Sequence, residues 1–246
     1  MPLAISLIIP AYNESQRLPP YLDCVRRHFD EHYAGDYEVI VVDDGSCDGT
    51  SDVVESLEAD WPELSVMRHP VNRGKGAAVR TGMLAGGGDL LLFADADGAT
   101  PIGQERKLAD AIRAGADLAI GSRLATSTDV TRRRSFTRGL TGRLFAVAAR
   151  WWLGISVRDT QCGFKLFRRE AGRELFSKSE ESGYLFDLEL LVLAGRLNHR
   201  IVEVPIDWSD VPGSHLSPLK ELPSILSTLW RMRVGRGLPR RSPTNP

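Results

Sequence analysis

The stretch Asp89-Leu90-Leu91-Leu92-Phe93-Ala94-Asp95-Ala96-Asp97 runs from an apolar segment straight into two carboxylates. Apolar residues without polar alternation read as a strand buried on both faces. Two acids one residue apart at its carboxyl end are costly to hold together without a cation. A divalent metal, Mg2+ or Mn2+, accounts for the acids, and a diphosphate accounts for the metal. Asp95 and Asp97 are therefore the candidate metal ligands. A capped turn before the next helix would suit the following Gly98-Ala-Thr-Pro101 as well. An EF-hand is excluded, because its sixth and twelfth positions, counted from Asp95, are Thr100 and Arg106 instead of Gly and Glu.

Outward from that strand, short runs rich in branched residues alternate with amphipathic stretches. Strands are predicted at residues 3–10, 37–42, 64–69, 90–94 and 118–121, and helices at 18–32, 48–57, 75–84 and 102–114. Continuous apolar strands separated by helices make an α/β fold, with a mainly parallel central sheet and helices on both faces. Ligands of such sheets bind beyond the carboxyl ends of the strands. Pro10-Ala-Tyr-Asn-Glu14, Asp43-Asp-Gly-Ser46, Asn72-Arg-Gly-Lys-Gly76, Asp95-Ala-Asp97 and Gly121-Ser-Arg123 follow those strands in turn. Motifs converging on one rim predict a single site.

A nucleoside needs acceptors for its base N–H and ribose O–H groups. Asp43 is the candidate for the base, and Asp44 for the sugar or metal side. Pro10, Tyr12 and Glu14 complete that pocket, with Tyr12 giving the base an apolar face. The same acids and glycines also suit a polar loop and a helix cap. Gly74-Lys75-Gly76 is not a Walker loop, since the places of its first Gly and its Ser or Thr hold His69 and Gly76. A glycine-permitted turn that brings Arg73 and Lys75 near the nucleotide is expected instead.

The 246 residues suit one large α/β domain, and 42% hydrophobic with 26% charged residues is ordinary for a soluble globular protein. The formal net charge of −1 hides two electrostatic halves: residues 123–173 hold 12 Lys or Arg against three acids. Arg231, Arg233, Arg236, Arg240 and Arg241 follow in a Pro- and Arg-rich tail, with disorder expected at 235–246. Cys24, Cys47 and Cys162 are odd in number and lack metal-ligand spacing, which reads as reduced thiols in a cytosolic protein. The N-terminus enters a strand at once, so no signal peptide is expected. No apolar run approaches the roughly 20 residues of a membrane span.

Beyond Arg123 the pattern predicts a basic loop, helices at 136–153, 185–196 and 219–233, and a strand at 200–205. Arg132-Arg-Arg-Ser-Phe-Thr-Arg138 is a solvated loop by default and a phosphate clamp by chemistry. Nucleic acid is not the expected partner, given little aromatic interleaving and no recognisable module. Trp151 and Trp152 beside arginines suit a membrane interface and a core equally. Ile225, Leu226, Leu229 and Trp230 form an apolar helical face that could meet either a membrane or the domain.

As a set, these motifs resemble the inverting glycosyltransferases of family 2, with the GT-A fold. The matching stretches are Ile9-Pro-Ala-Tyr-Asn-Glu14, residues 42–50, residues 72–78, Asp95-Ala-Asp97 and Gly121-Ser-Arg123. Asp159-Thr-Gln-Cys-Gly-Phe-Lys-Leu-Phe167, Phe186-Asp-Leu-Glu-Leu190, Glu203-Val-Pro-Ile206 and Pro212-Gly-Ser214 look like the dolichyl-phosphate glucosyltransferase branch, whose close relatives are the polyprenyl-phosphate mannose synthases. The resemblance implies one domain over 1–234. Its nucleotide-sugar half would span 1–123 and its acceptor half 124–234. It also implies transfer of a hexose onto a polyprenyl or dolichyl phosphate: glucose from UDP-glucose in the branch matched, with mannose from GDP-mannose as the alternative that no short motif rules out. The expected setting is the cytoplasmic face of a membrane, with peripheral attachment. Pro10, Tyr12, Glu14, Val41 and Asp43 would hold the nucleotide. Asp95, the Ala96 backbone and Asp97 would hold donor and metal, Arg123 would reach the phosphates, and Lys165 lies in a loop facing acceptor or donor.

Two departures stand out. The mannose synthases carry a metal-binding glutamine where this chain has Ala99, and relatives carry lysine where this chain has His215, a residue largely neutral at pH 7. A phosphate acceptor is already an anion at neutral pH, because its second pKa is near ~6. It needs orienting, by Arg133, Arg134 and Arg138, more than deprotonating. A sugar-hydroxyl acceptor would instead need a carboxylate base, with Asp159 and Asp187 as candidates.

Overall fold

The computed structural model describes residues 4–124, 132–133, 152–209 and 230. The first half follows the alternation read from the sequence: β1 (Ile5–Ala11), α1 (Leu18–Tyr33), β2 (Tyr37–Asp43), α2 (Thr50–Glu58), β3 (Leu64–Arg68), α3 (Lys75–Ala85), β4 (Leu90–Ala94), α4 (Glu105–Arg113) and β5 (Leu118–Ser122). The expected helix at 102–114 opens instead as a 3-10 turn, Ile102–Gln104, that hands over to α4. Two-residue strands β6 (Arg132–Arg133) and β9 (Trp208–Ser209) pair in parallel. Between them lie β7 (Phe164–Arg168), α5 (Arg169–Lys178), α6 (Phe186–Arg196) and β8 (Ile201–Pro205).

Among the described residues the main sheet runs β3-β2-β1-β4-β7-β5-β8. It is parallel apart from β7, which enters antiparallel between β4 and β5. This central strand is absent from the sequence reading, which also puts Lys165 in a loop. Lys165 lies within β7 and is 1% exposed. A lysine there disguises a buried strand, and the charge is tolerated only because Asp187, distant in sequence, pairs with it. Helix α5 was also unforeseen: its charged residues dominate the pattern, while Ala171, Leu175 and Phe176 carry its buried face.

The core explains why the strands read as continuous apolar runs. Ile5, Leu7, Ile8 and Ile9 of β1 are fully buried, as are Leu91, Leu92 and Phe93 of β4. Each such side chain contributes about 1.5–3 kcal/mol relative to exposure. The parallel crossovers bring the carboxyl ends of β1, β2, β4 and β5 to one rim. Antiparallel β7 adds its beginning to that rim, because Phe164 is in register with Ala94. Residues 161–164 therefore face the loops after β1 and β4.

Candidate active site

A cleft of about 780 Å³ opens along this rim. Its first wall joins the loops after β1 and β2. Ser46 Oγ accepts from Asn13 N–H at 2.9 Å, Thr50 Oγ1 from Glu14 N–H at 2.9 Å, and Asp48 from Ser15 N–H at 3.0 Å. Pro10, Tyr12 and Glu14 line the cleft, and Tyr12 is 49% exposed, a free face for a flat ring. Glu14 is held by Arg17 at 2.7 and 2.5 Å, and Arg17 itself enters the cleft.

Val41 and Asp43 stand elsewhere. Val41 is buried in β2, and Asp43 is 0% exposed. Asp43 accepts from Ser46 N–H at 2.9 Å and from the Ser51 hydroxyl, so its carboxylate shapes its own loop. Asp44 does reach the cleft. It accepts from the Arg73 and Gly74 N–H groups at 2.9 and 2.8 Å and pairs with His69 Nδ1 at 2.7 Å, tying the third loop to the second.

The third loop delivers Lys75. Gly74 has φ +96°, and a Cβ there would lie 2.4 Å from Ser182 O, so only glycine lets the turn close on the segment before α6. Lys75 Nζ rests 2.6 Å from Asp95 Oδ1, with the rings of Phe93 and Tyr184 at 5.5 and 6.0 Å. Burial lowers the Lys75 pKa, but the charges of Asp95 and Asp187 outweigh it and leave the ammonium above its ordinary value.

Asp95, Ala96 and Asp97 all line the cleft. Asp95 N–H donates to Gly163 O at 3.0 Å, which locks the acid loop to the start of β7. Asp97 Oδ1 accepts from Ala99 N–H at 3.0 Å. Burial, and then the charge of Asp95, raise the Asp97 pKa above the ordinary carboxylate value. A cation at the pair would relieve that condition. Among the described residues no third His, Cys, Asp or Glu gathers with them, and Ala99 adds no ligand.

Across the cleft, Arg123 is gripped by Asp159 through Nε at 2.8 Å, Nη2 at 2.7 Å and its own N–H at 2.8 Å. Trp208 lies 5.5 Å beneath the guanidinium. The Asp159 pKa is lowered: burial raises it, but hydrogen bonding and charge from Arg123 prevail. Asp187 lines the cleft too, paired with Lys165 at 2.5 Å, while Lys165 Nζ also donates to Cys162 O at 2.6 Å. Both carboxylates considered as bases are thus engaged by cations.

The backbone of Arg133 pairs with Ser209 beside Trp208. Arg134, Arg138, His215 and the 235–246 tail lie outside the described residues, as do most residues of the helices expected near 136–153 and 219–233. Of those helices Trp152, Leu153 and Trp230 are described and helical, and the rings of Trp152 and Trp230 stack at 6.5 Å. The site also holds residues that sequence reasoning passed over: Arg17, Tyr21, Gln161, Gly163, Tyr184 and Trp208. Gln161 and Gly163 arrive with the β7 insertion, Arg17 and Tyr21 with the start of α1, Tyr184 with the segment before α6 and Trp208 with β9.

The family model for glycosyl transferase family 2 matches residues 6–176. The chain belongs to that family. A dolichyl-phosphate beta-glucosyltransferase of Drosophila melanogaster is 43% identical over 229 residues, covering 88% of this chain and 70% of that one. The Homo sapiens protein of the same name is 38% identical over 232 residues, covering 87% and 70%. Among solved structures, glucosyl-3-phosphoglycerate synthase of Mycobacterium tuberculosis, in complex with Mn2+ and UDP-glucose, aligns with TM-score 0.69. That match has 22% identity and covers 94% of this chain and 79% of that one. Mannosyl-3-phosphoglycerate synthase of Rubrobacter xylanophilus aligns with TM-score 0.69 at 19% identity, over 99% and 79%. The expected GT-A fold is therefore borne out, and this family 2 protein is a glycosyltransferase.

Proposed function

We propose that the chain transfers glucose from UDP-glucose to the phosphate of a dolichyl or other polyprenyl lipid, with inversion at the anomeric carbon. The observation that carries the reading is the convergence of Asp95, Asp97, Lys75 and Arg123 on one cleft. It occurs in a chain 43% identical to a dolichyl-phosphate beta-glucosyltransferase. The acid pair fits a metal that arrives with its diphosphate, since the protein offers two carboxylates and the nucleotide supplies further oxygens. Asp95 and Asp97 would hold Mg2+ or Mn2+, and the bound ion would supply Lewis-acid stabilisation of the departing diphosphate.

The remaining chemistry belongs to side chains. Tyr12 offers a face to the base. Lys75 and Arg123 put positive charge beside the site where negative charge develops on the leaving group. Asp159 holds Arg123 in place, so that guanidinium acts without reorganising. No carboxylate is needed as a base, because a phosphate monoester with a second pKa of ~6 attacks as an anion. Asp159, held below the ordinary carboxylate value by Arg123, matches a scheme in which it takes no proton, and Asp187 is committed to Lys165 although burial raises its pKa.

Two neighbouring readings share the cleft: a GDP-mannose donor, and a sugar hydroxyl as acceptor. Assaying UDP and GDP release from UDP-glucose and GDP-mannose, with and without polyprenyl phosphate, separates them. Lipid-dependent UDP release is the expected result, and release independent of the lipid would overturn the proposed acceptor. Binding without any release would support a nucleotide-sugar-binding protein. Peripheral attachment to the cytoplasmic face of a membrane belongs to the same proposal. Among the described residues no helix is long and apolar enough to cross one.

A further inference from the structure

The wall beneath the acid loop holds a polar group that the scheme above does not use. Tyr21 projects from α1, lines the cleft and is 7% exposed. Its ring supports the turn after Asp97, since a Cβ at Gly98 would lie 3.1 Å from Tyr21 Cδ2. Its hydroxyl has no hydrogen-bond partner among the described residues. Neighbouring phenols differ: Tyr33 O–H donates to Glu105 at 2.8 Å and Tyr37 O–H to Asp30 at 2.5 Å. A buried hydroxyl without a partner is destabilising, and a phenylalanine would fill the same wall without that penalty. The hydroxyl at this position calls for a ligand.

Geometry places that ligand, because the Tyr21 ring lies against the residue that follows Asp97 and lines the same cleft as the acid pair. Burial first, then the charges of Asp95 and Asp97, raise the pKa of the phenol, so it remains a protonated donor at any working pH. Neither carboxylate accepts its hydrogen. An oxygen introduced at the acid pair would be the acceptor it lacks.

We propose that Tyr21 is a donor-binding residue, whose O–H donates to an oxygen brought to the Asp95–Asp97 pair. That oxygen is either one of the diphosphate or a water held with the metal. The proposal rests on reading the cleft as a nucleotide-diphospho-sugar site. Its physical content is one hydrogen bond present in the loaded state and missing in the free protein.

The test is Tyr21→Phe, which keeps the ring and removes only the hydroxyl. Calorimetric titration with Mn2+ alone and with UDP in the presence of Mn2+ reads binding without turnover, and thermal melting reads the free protein. The variant should melt at or above the wild-type temperature and bind UDP–Mn2+ about tenfold more weakly. Weakening already visible with Mn2+ alone assigns the acceptor to metal-held water. Weakening only with UDP assigns it to the diphosphate. Unchanged affinity in both titrations would overturn the proposal. So would a lowered melting temperature, since the hydroxyl would then have a structural partner. If wild type binds neither UDP nor GDP, the reading of the cleft falls and takes this inference with it. If wild type binds and the variant matches it, the inference alone fails.

Discussion

Lys75 Nζ lies 2.6 Å from Asp95 Oδ1, so the cation of the third loop rests on the first acid of the fourth. A divalent ion and this ammonium would compete for one carboxylate, whereas a diphosphate would draw the ammonium away. Lys75→Met is predicted to tighten Mn2+ binding in the absence of nucleotide, by about fivefold for a partly exposed pair. It should weaken UDP binding in the presence of Mn2+. Electron paramagnetic resonance of free Mn2+ and calorimetry with UDP give the two constants. Parallel loss of both affinities would show that the lysine supports the metal site instead of competing for it.

Asp97 is predicted to be the residue whose loss the activity tolerates least. Asp97→Asn should lower turnover by about three powers of ten, the scale for removing a key electrostatic contact. Its folded pKa is raised, so the charged carboxylate is destabilising at neutral pH in the free protein. The variant should therefore melt no lower than wild type. For the same reason, metal-dependent UDP binding should decline on acidification at a pH above the ordinary carboxylate range. A decline only near 3.8, the ordinary value for an aspartate, would contradict the burial argument.

Gly163 is predicted to be irreplaceable by alanine. A Cβ there would come within 1.9 Å of Asp95 Oδ2, a contact no real Cβ makes. Gly163→Ala must displace the acid or the start of β7, at about 1–3 kcal/mol, the usual cost of overpacking. Urea unfolding and UDP–Mn2+ binding should both register it. Gly195→Ala in α6, where a Cβ meets nothing within 4 Å, is the matched control and should leave UDP binding unchanged.

Asp159 separates positioning from proton transfer. Its lowered pKa means the Arg123 pair contributes stability at neutral pH that is lost as pH falls through the folded value, below 3.8. Asp159→Asn is predicted to lower the melting temperature at pH 7 and to narrow its gap from wild type in strong acid. Activity should fall by no more than about a hundredfold, because a loosened Arg123 stays available and no proton need be taken. A loss of several powers of ten with an intact fold would favour a hydroxyl acceptor.

Much of the frame was legible because the relevant forces are local. Leu90–Ala94 is legible at both ends, since a central strand buried on both faces is apolar throughout and stops where the acids begin. The loops after β1, β2, β3 and β4 were recognised as one rim because parallel crossovers leave no other arrangement. β7 was not legible. Its lysine is hydrophilic in sequence and buried in space, and the compensating Asp187 lies 22 positions away.

The sequence by itself determined the alternating α/β frame and the family, through polar motifs that follow apolar strands. It also placed the acid pair Asp95 and Asp97 at the end of β4. Only the tertiary structure decided which motif residues face the cleft. Asp43 turns inward to hold its own loop while Asp44 reaches the rim, although the two are adjacent and chemically identical. Strand pleat and loop hydrogen bonding make that choice. It also decided that Lys75 sits on Asp95, that Asp159 grips Arg123 and that Tyr21 lies under the acid loop. Such pairings depend on how loops from separate strands close on one another, and spacing along the chain carries no record of that distance.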